Sequence, residues 1–380
     1  MQKLTAAGAA AVAFDVLFGE PDRLSPEQIA QTLPPQEAAA LTAAVALQPT
    51  NDQQLAQALA KAPSVLGVSL VNDDTRPFAG KSGFASAGDN PHDFIPGYRG
   101  ASGSLSTLEA AAKGLGAVNW VPDRDQIVRR VNLVFRVGDT LVPSLVAEAL
   151  RVAEGASTIV LKASNASGQS GFGSATGLNH IQIGDAQIPT DASGAVILRF
   201  RHSKPSAFVP AWRVLSDAVV PSDIAGRIVL VGTSVPGLLD LRSTPIDTAV
   251  PGVEIHEQAI ENILSGRNLV RPDYALAVEE AIILAIVLLL TPLMPRVSAP
   301  WLFASAAGLG LALLAGGWAA YNFAGLLFDP LYPIVALFCF VTVVTFYIYR
   351  YSEQQRSRIK SVFVAEPSAP LPAQLPKSAS

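Results

Sequence analysis

"GRIVLVGTSVPGLLDLRSTPIDTAVPGVEIHEQAIENILSGRNLVRP", Gly226 to Pro272, decides the fold class. It opens on an apolar, β-branched run, Ile228–Gly232, which reads as a buried strand. A polar turn with Thr233 and Ser234 follows, then Asp240 and the Thr244–Pro245 pair. The spacing next predicts a helix over Gly252–Ser265, closed by Gly266. A strand that opens into polar residues and is followed by a helix is a unit of an α/β fold, and such folds place ligands at strand ends. On the helix, Val253, His256, Ile260 and Leu264 share one face and are expected to point inward. His256 is then either a hydrogen-bonded core histidine or a pocket residue, and spacing leaves both open.

Toward the N-terminus the same alternation continues. Apolar, strand-like runs occur at Ala10–Phe18, Val65–Val71 and Ala117–Val121, with helical segments at Asp52–Lys61 and Ser106–Gly114 between them. That order predicts a parallel sheet covered by helices. A second group, Val128–Val137, His180–Ile188 and Ala195–Phe200, reads as antiparallel strands turning at Gly138–Asp139 and Gly184–Asp185. Residues 1–270 are therefore expected to form a mixed α/β domain. Residues 79–104 and 164–177, rich in Gly and Ser, are expected to be surface loops.

Beyond this domain the composition changes. The chain is 50% hydrophobic and only 15% charged, too apolar for an ordinary soluble enzyme, and the excess sits in residues 275–349. Between Ala281 and Tyr349 the only charged side chains are Arg296 and Asp329. Ala275–Met294, Pro300–Ala320 and Leu331–Tyr349 each come close to the ~20 residues that cross a ~30 Å hydrocarbon layer, so three membrane spans are expected. Arg350, Arg356, Arg358 and Lys360 follow the last of them and place the C-terminus in the cytoplasm, with residues 1–270 outside. Residues 350–363 contain no proline or glycine and should continue the last span as one helix. The tail, 364–380, is rich in proline and small residues and is expected to be disordered.

Several chemistries are excluded or left without support. A net charge of −4 offers no basic face, so nucleic acid is not an expected partner. Cys339 is the lone cysteine and lies within the third span, which excludes a disulfide framework. His92, His180, His202 and His256 lack metal-ligand spacing, and no cofactor is implied. "AGKSG" at Ala79–Gly83 has Thr75 where a phosphate-binding loop needs glycine, and "GFGSATG" at Gly171–Gly177 is not followed by a helix. "GQSGF" and "GTSVP" lack the second glycine of a nucleophile elbow. "NAS" at Asn165–Ser167 fits a glycosylation acceptor, a pattern short enough to recur by chance.

Taken together, "VAFDVLFGEPDR", "VPDRDQIVRRVNL", "GRIVLVGTS" with Asp240 and Thr244–Pro245, and "PGVEIHEQAIENILSGRNLVRP" running into apolar spans resemble the extracytoplasmic CHASE sensor domain of the second type. The resemblance covers nearly all of residues 1–350. It implies a bacterial membrane receptor: one span, the sensor domain outside, three more spans, and a cytoplasmic output such as a class III adenylate cyclase, a diguanylate cyclase or a kinase. The adenylate cyclase is the output expected here. The upstream span and the output domain are expected outside residues 1–380. "RSRIKSVF" resembles the helix that leads toward the catalytic domain in cyclase-linked members. There Ile359, Val362 and Phe363 form a narrow apolar stripe beside Arg356, which suits pairing in a homodimer or, alternatively, resting on anionic lipid.

An extracytoplasmic ligand is expected at the strand ends, on Asp15, Thr233, Ser234, Asp240 and His256. The acids Asp15, Glu20, Asp22, Asp123 and Asp125 admit two readings: a pocket for a cation or polar molecule, or pairing of Asp22 and Asp125 with Arg23, Arg124 or Arg129 while the others cap helices or turns. The competing function class is a membrane-tethered α/β hydrolase using Ser234, His256 and Asp240. A transporter is disfavoured, because from Ala281 to Tyr349 the only acidic or basic residues, Arg296 and Asp329, lie between the spans and mark no path through them.

Overall fold

The computed structural model describes residues 1–166, 177–234, 240–293 and 296–364, with side chains described as far as Ser357. The chain divides into two compact units, Met1–Asp273 and Tyr274–Ser380. In the first, four short parallel strands form the central sheet: β1 (Ala11–Phe14), β2 (Ser64–Val71), β3 (Gly114–Ala117) and β4 (Ile228–Val231). Their order is β4-β1-β2-β3, with Gly100–Ser102 added antiparallel to the end of β2. Register is set by Val12 opposite both Val229 and Ser64, and by Leu66 opposite Leu115. The chain thus builds outward from β1 through β2 to β3, then returns to the other side of β1 with β4. The order reverses between β1 and β4, and there α/β sheets open a crevice.

Alternation along β1 explains the two layers that cover the sheet. Val12 and Phe14 join a core with Leu59 of helix α1 (Asn51–Ala60) and Leu108 of α2 (Ser106–Ala111). Ala13 joins the opposite core with α3 (Leu145–Ala153) and α4 (Gly252–Ser265). Thr50 caps α1 in a reciprocal pair with Gln53, and Ser144 caps α3 by accepting from the Ala147 amide at 3.2 Å. Helix α3 is buried nearly all round, with Leu145, Val146, Ala147 and Ala149 at 0% exposure, and a buried branched side chain contributes roughly 1.5–3 kcal/mol. Its close approach to β3 depends on Gly116, where a Cβ would stand 2.7 Å from the Leu145 Cα.

Beyond α3 lies a mixed four-stranded sheet in the order Ala186–Pro189, Leu178–Ile183, Thr158–Ala163, Gly83–Ala87. The expected hairpin over Gly184–Asp185 is formed. So is the one over Gly138–Asp139, joining Val134–Val137 to Thr140–Pro143. Both glycines have φ +55°, which glycine adopts without strain. The expected run Val128–Val137 divides, since Arg130–Asn132 pairs instead with Ala195–Ile197.

Four expectations are corrected. Residues 79–104 are not simply loop, because Gly83–Ala87 is a strand paired in parallel with Thr158–Ala163, and Gly100–Ser102 joins the central sheet. Small residues hid both strands, and long-range partners supply the pairing. The strand expected at Ala117–Val121 lies earlier, at Gly114–Ala117, and the preceding helix stops at Ala111. Its glycines are what α3 packs against. Leu264, expected inward, is 59% exposed in the last turn of α4. Of the loop expected at 164–177, residues 167–176 lie outside the described residues, as do residues 365–380 of the tail.

In the second unit, α5 (Ala275–Leu290), α6 (Ala299–Ala319) and α7 (Leu331–Val364) pack together through Ile286, Leu290, Leu302, Ala306, Leu337 and Val341. Two segments, Ala299–Ala324 and Leu331–Ser357, are long and apolar enough to cross a membrane. The first expected span forms a helix of 16 residues, about 24 Å at 1.5 Å per residue. Helix α7 continues unbroken beyond Tyr349 for the expected length.

Candidate functional site

The carboxyl ends of all four central strands meet at one cleft of about 670 Å³, within the range that holds small molecules. Asp15 and Val16 follow β1, Ser69 lies in the last three residues of β2, Asn119 and Trp120 follow β3, and Thr233 follows β4. Asp240, Arg242 and Ser243 close one side, and Gln126 another. The position follows from the topology, because Asp15 and Thr233 leave adjacent strands on either side of the reversal.

Each wall is held by a local device. The Asn119 amide completes the strand pairing that β3 abandons: its Oδ1 accepts from the Leu70 N–H at 2.7 Å and its Nδ2 donates to the Leu70 carbonyl at 2.8 Å. Asp240 lies over the start of α4, where its carbonyl accepts from the Gly252 N–H at 3.0 Å. A Cβ on Gly252 would come within 2.5 Å of the Asp240 carboxylate. Arg242 Nη2 stands 3.4 Å from Asp240 Oδ1.

Asp15 has no such partner. Its side chain is 8% exposed and, among the described residues, makes no hydrogen bond. Burial first, then the nearby Asp240 charge, push its carboxyl up to about 7, against a smaller opposing pull from Arg242. Burial also raises Asp240, and Arg242 opposes this. Beneath them His256, at 1% exposure, stacks on Trp120 with ring centroids 4.2 Å apart and an interplanar angle of 27°. Its Nε2 is 4.0 Å from Asp15 Oδ2. Neither ring nitrogen has a hydrogen-bond partner among the described residues, and burial holds the imidazole down to about 3, hence neutral. An unmet buried donor costs on the order of 1–3 kcal/mol.

The polar face of α4 is fastened separately. Asn262 and Gln258 each bridge the backbone N–H and carbonyl of Arg199 and Arg201 respectively. The Ser203 hydroxyl donates to Glu254 at 2.8 Å. Arg201 reaches Glu257 at 2.7 Å and Glu261 at 2.9 Å.

Of the expected site residues, the structure brings Asp15, Thr233 and Asp240 to the cleft and places His256 against its floor. Ser234 is exposed and does not line it. No hydrogen bond joins Ser234 to His256, so the nucleophile and base of the hydrolase alternative are not paired. Asp125 takes the expected pairing with Arg129, at 2.8 Å, and the same guanidinium holds Asp123 at 2.9 Å; Arg23 pairs with Glu20 at 2.8 Å rather than with Asp22. Hydrogen bonds from Arg129 bring Asp125 down to about 2. Asp22 accepts from Asn51 at 2.6 Å. Sequence reasoning missed Trp120, Ser69 and Arg242. Trp120 could have been found as the lone aromatic of the expected run Ala117–Val121.

Arg356 is exposed on α7, while the side chains of Ile359, Val362 and Phe363 lie outside the described residues. Among the described residues, no group of three His, Cys, Asp or Glu side chains comes together to hold a metal ion. The family model of the CHASE2 domain matches residues 1–294. No curated protein and no solved structure matches the chain.

Proposed function

Because the chain belongs to the CHASE2 family of sensor domains of signalling proteins, we propose that its first unit binds a small polar ligand in the cleft and signals through α4. The observation that carries this is the Asp15 side chain, buried and without a hydrogen bond among the described residues, at the reversal of strand order and above a neutral His256 whose ring nitrogens find no partner among those residues either. A ligand that engages Asp15 changes the charge facing His256, and His256 belongs to the helix that ends nine residues before Tyr274. The first unit is extracytoplasmic in this reading. Helices α5–α7 all cross the inner membrane, and the extension of α7 pairs with its copy in a homodimer through Ile359, Val362 and Phe363. The output is a class III adenylate cyclase joined to or associated with that helix.

The test is a small-molecule screen for a rise in the thermal midpoint of the purified full chain, with anionic, neutral and cationic compounds. A stabiliser is expected whose effect disappears in Asp240→Ala and in Ser69→Phe, which fills the cleft. If every stabiliser acts on those variants as on the parent, the cleft is not the site.

A further inference from the structure

The lining of the cleft also selects among ligand charges. Asp240 has its cation in Arg242 at 3.4 Å. Asp15 has none: its side chain is over nine-tenths buried, no donor reaches it among the described residues, and the nearest imidazole nitrogen stands 4.0 Å away. Two carboxylates against one guanidinium leave the walls net negative, so an anionic ligand would meet repulsion at the floor. A neutral polyol could donate to Asp15 but would leave its charge uncompensated, and a buried charge is stabilised mainly by an opposite one. A divalent ion needs several oxygen ligands, and among the described residues no three His, Cys, Asp or Glu side chains converge here. What fits is a positive group with N–H donors on a body of a few heavy atoms. The remainder would meet Ser69, Gln126, Thr233 and Ser243, and the flank of Trp120.

We propose that the cleft is a receptor site for a small organic cation, a primary amine or guanidine, whose charged head pairs with Asp15. The inference rests on the cleft being the ligand site. A charge-assisted hydrogen bond is short and roughly twice as strong as a neutral one, and excluding water from the floor strengthens it further. Trp120 adds an aromatic wall that favours a cation within about 6 Å of the ring.

The experiment measures the thermal midpoint of the detergent-solubilised full chain at pH 8 with agmatine, putrescine or tyramine. The neutral counterpart of putrescine, 1,4-butanediol, and the anion succinate serve as controls. The amines should raise the midpoint while 1,4-butanediol and succinate leave it unchanged. In Asp15→Asn the amine concentration for half the effect should rise at least tenfold. Asp15→Asn removes an unpaired buried charge, and its own midpoint in the absence of probe reports that it folds. If no amine acts, or if amines act equally on Asp15→Asn, the ligand class is wrong. Stabilisation by 1,4-butanediol or succinate that is lost in Ser69→Phe would overturn the cation while keeping the cleft. Amine stabilisation that persists unchanged in Ser69→Phe would overturn both.

Discussion

Folding places one carboxyl and one imidazole in the same dry site, and the proton balance between them gives a sharp test. Burial moves Asp15 from its ordinary 3.8 to about 7 and His256 from 6.5 to about 3. From about pH 4 to 6.5 the unfolded chain holds a proton on His256 and none on Asp15, while the folded chain holds one on Asp15 and none on His256. Proton counts match, so this pair contributes no slope to stability against pH in that window. Writing the folded pair as imidazolium and carboxylate leaves the count unchanged, so the result does not depend on which atom holds the proton.

Removing either partner exposes the other. Asp15 has a raised folded value, so the stability it contributes is present at low pH and lost as pH rises from about 4 to 7. His256 has a depressed folded value, so its contribution is lost as pH falls from about 6.5 to 3. Relative to the parent, Asp15→Asn should gain about 1.4 kcal/mol per pH unit from pH 4 to 7, about 4 kcal/mol in all. His256→Gln should move in the opposite sense, losing about 1.4 kcal/mol per unit relative to the parent up to pH 6.5. The assay is urea unfolding of the full chain in detergent, followed by tryptophan fluorescence from pH 4 to 8. Taking differences between variant and parent cancels the titrating groups that do not interact with the pair. Differences that stay flat across this range would refute the shared, desolvated site.

Glu148→Ala should destabilise the first unit by about 3–5 kcal/mol, since it strands Arg151, 2.7 Å from Glu148 inside α3; Leu→Met changes of similar burial should cost far less by the same unfolding assay. Topology reporters fused at Gly325 and Ser380 should report opposite sides of the membrane, and agreement between them would defeat the three-span arrangement. In a Cys339→Ser background, single cysteines at Ile359 and Phe363 should cross-link between subunits while those at Ser357 and Lys360 do so poorly; equal cross-linking at all four positions would mean no defined seam.

Much of the central sheet was legible because β1, β2 and β4 are apolar, β-branched runs of strand length. The helix Gly252–Ser265 was legible to its ends, from its period and its closing glycine. Strand-end logic then located Asp15, Thr233 and Asp240 without any motif. What remained hidden shares one physical cause, that the deciding contact is distant in sequence. Gly83–Ala87 has little strand propensity of its own and exists because Thr158–Ala163 pairs with it. Gly114–Ala117 is a strand because it pairs in parallel with β2, and its glycines leave room for α3. Ser234 and Thr233 are adjacent and chemically alike, yet only Thr233 faces the cleft. Pairing of Asp125 with Arg129 was visible at i, i+4, whereas Arg242 beside Asp240 follows from the antiparallel return of Leu241–Arg242 against Val250–Pro251.

The cation site and the proton balance together fix how acidity must act on ligand binding. An amine pairs with Asp15 only when that carboxyl is ionised, so below about pH 7 it has to displace a proton. Asp240 acts in the direction of protonation and Arg242 against it. His256 stays neutral down to about 3 and does not compete, and an alkylamine remains charged throughout, as a lysine does with its pKa of about 10. The ionised fraction of Asp15 is then about nine-tenths at pH 8 and about one-tenth at pH 6, a factor of about ten in apparent affinity. Titration calorimetry of agmatine into the full chain should show that loss between pH 8 and pH 6, with proton release to the buffer on binding at pH 6. In His256→Gln the loss should persist, because the titrating group is still present. An affinity that stays constant from pH 6 to 8 would mean that Asp15 is not the group that meets the charge.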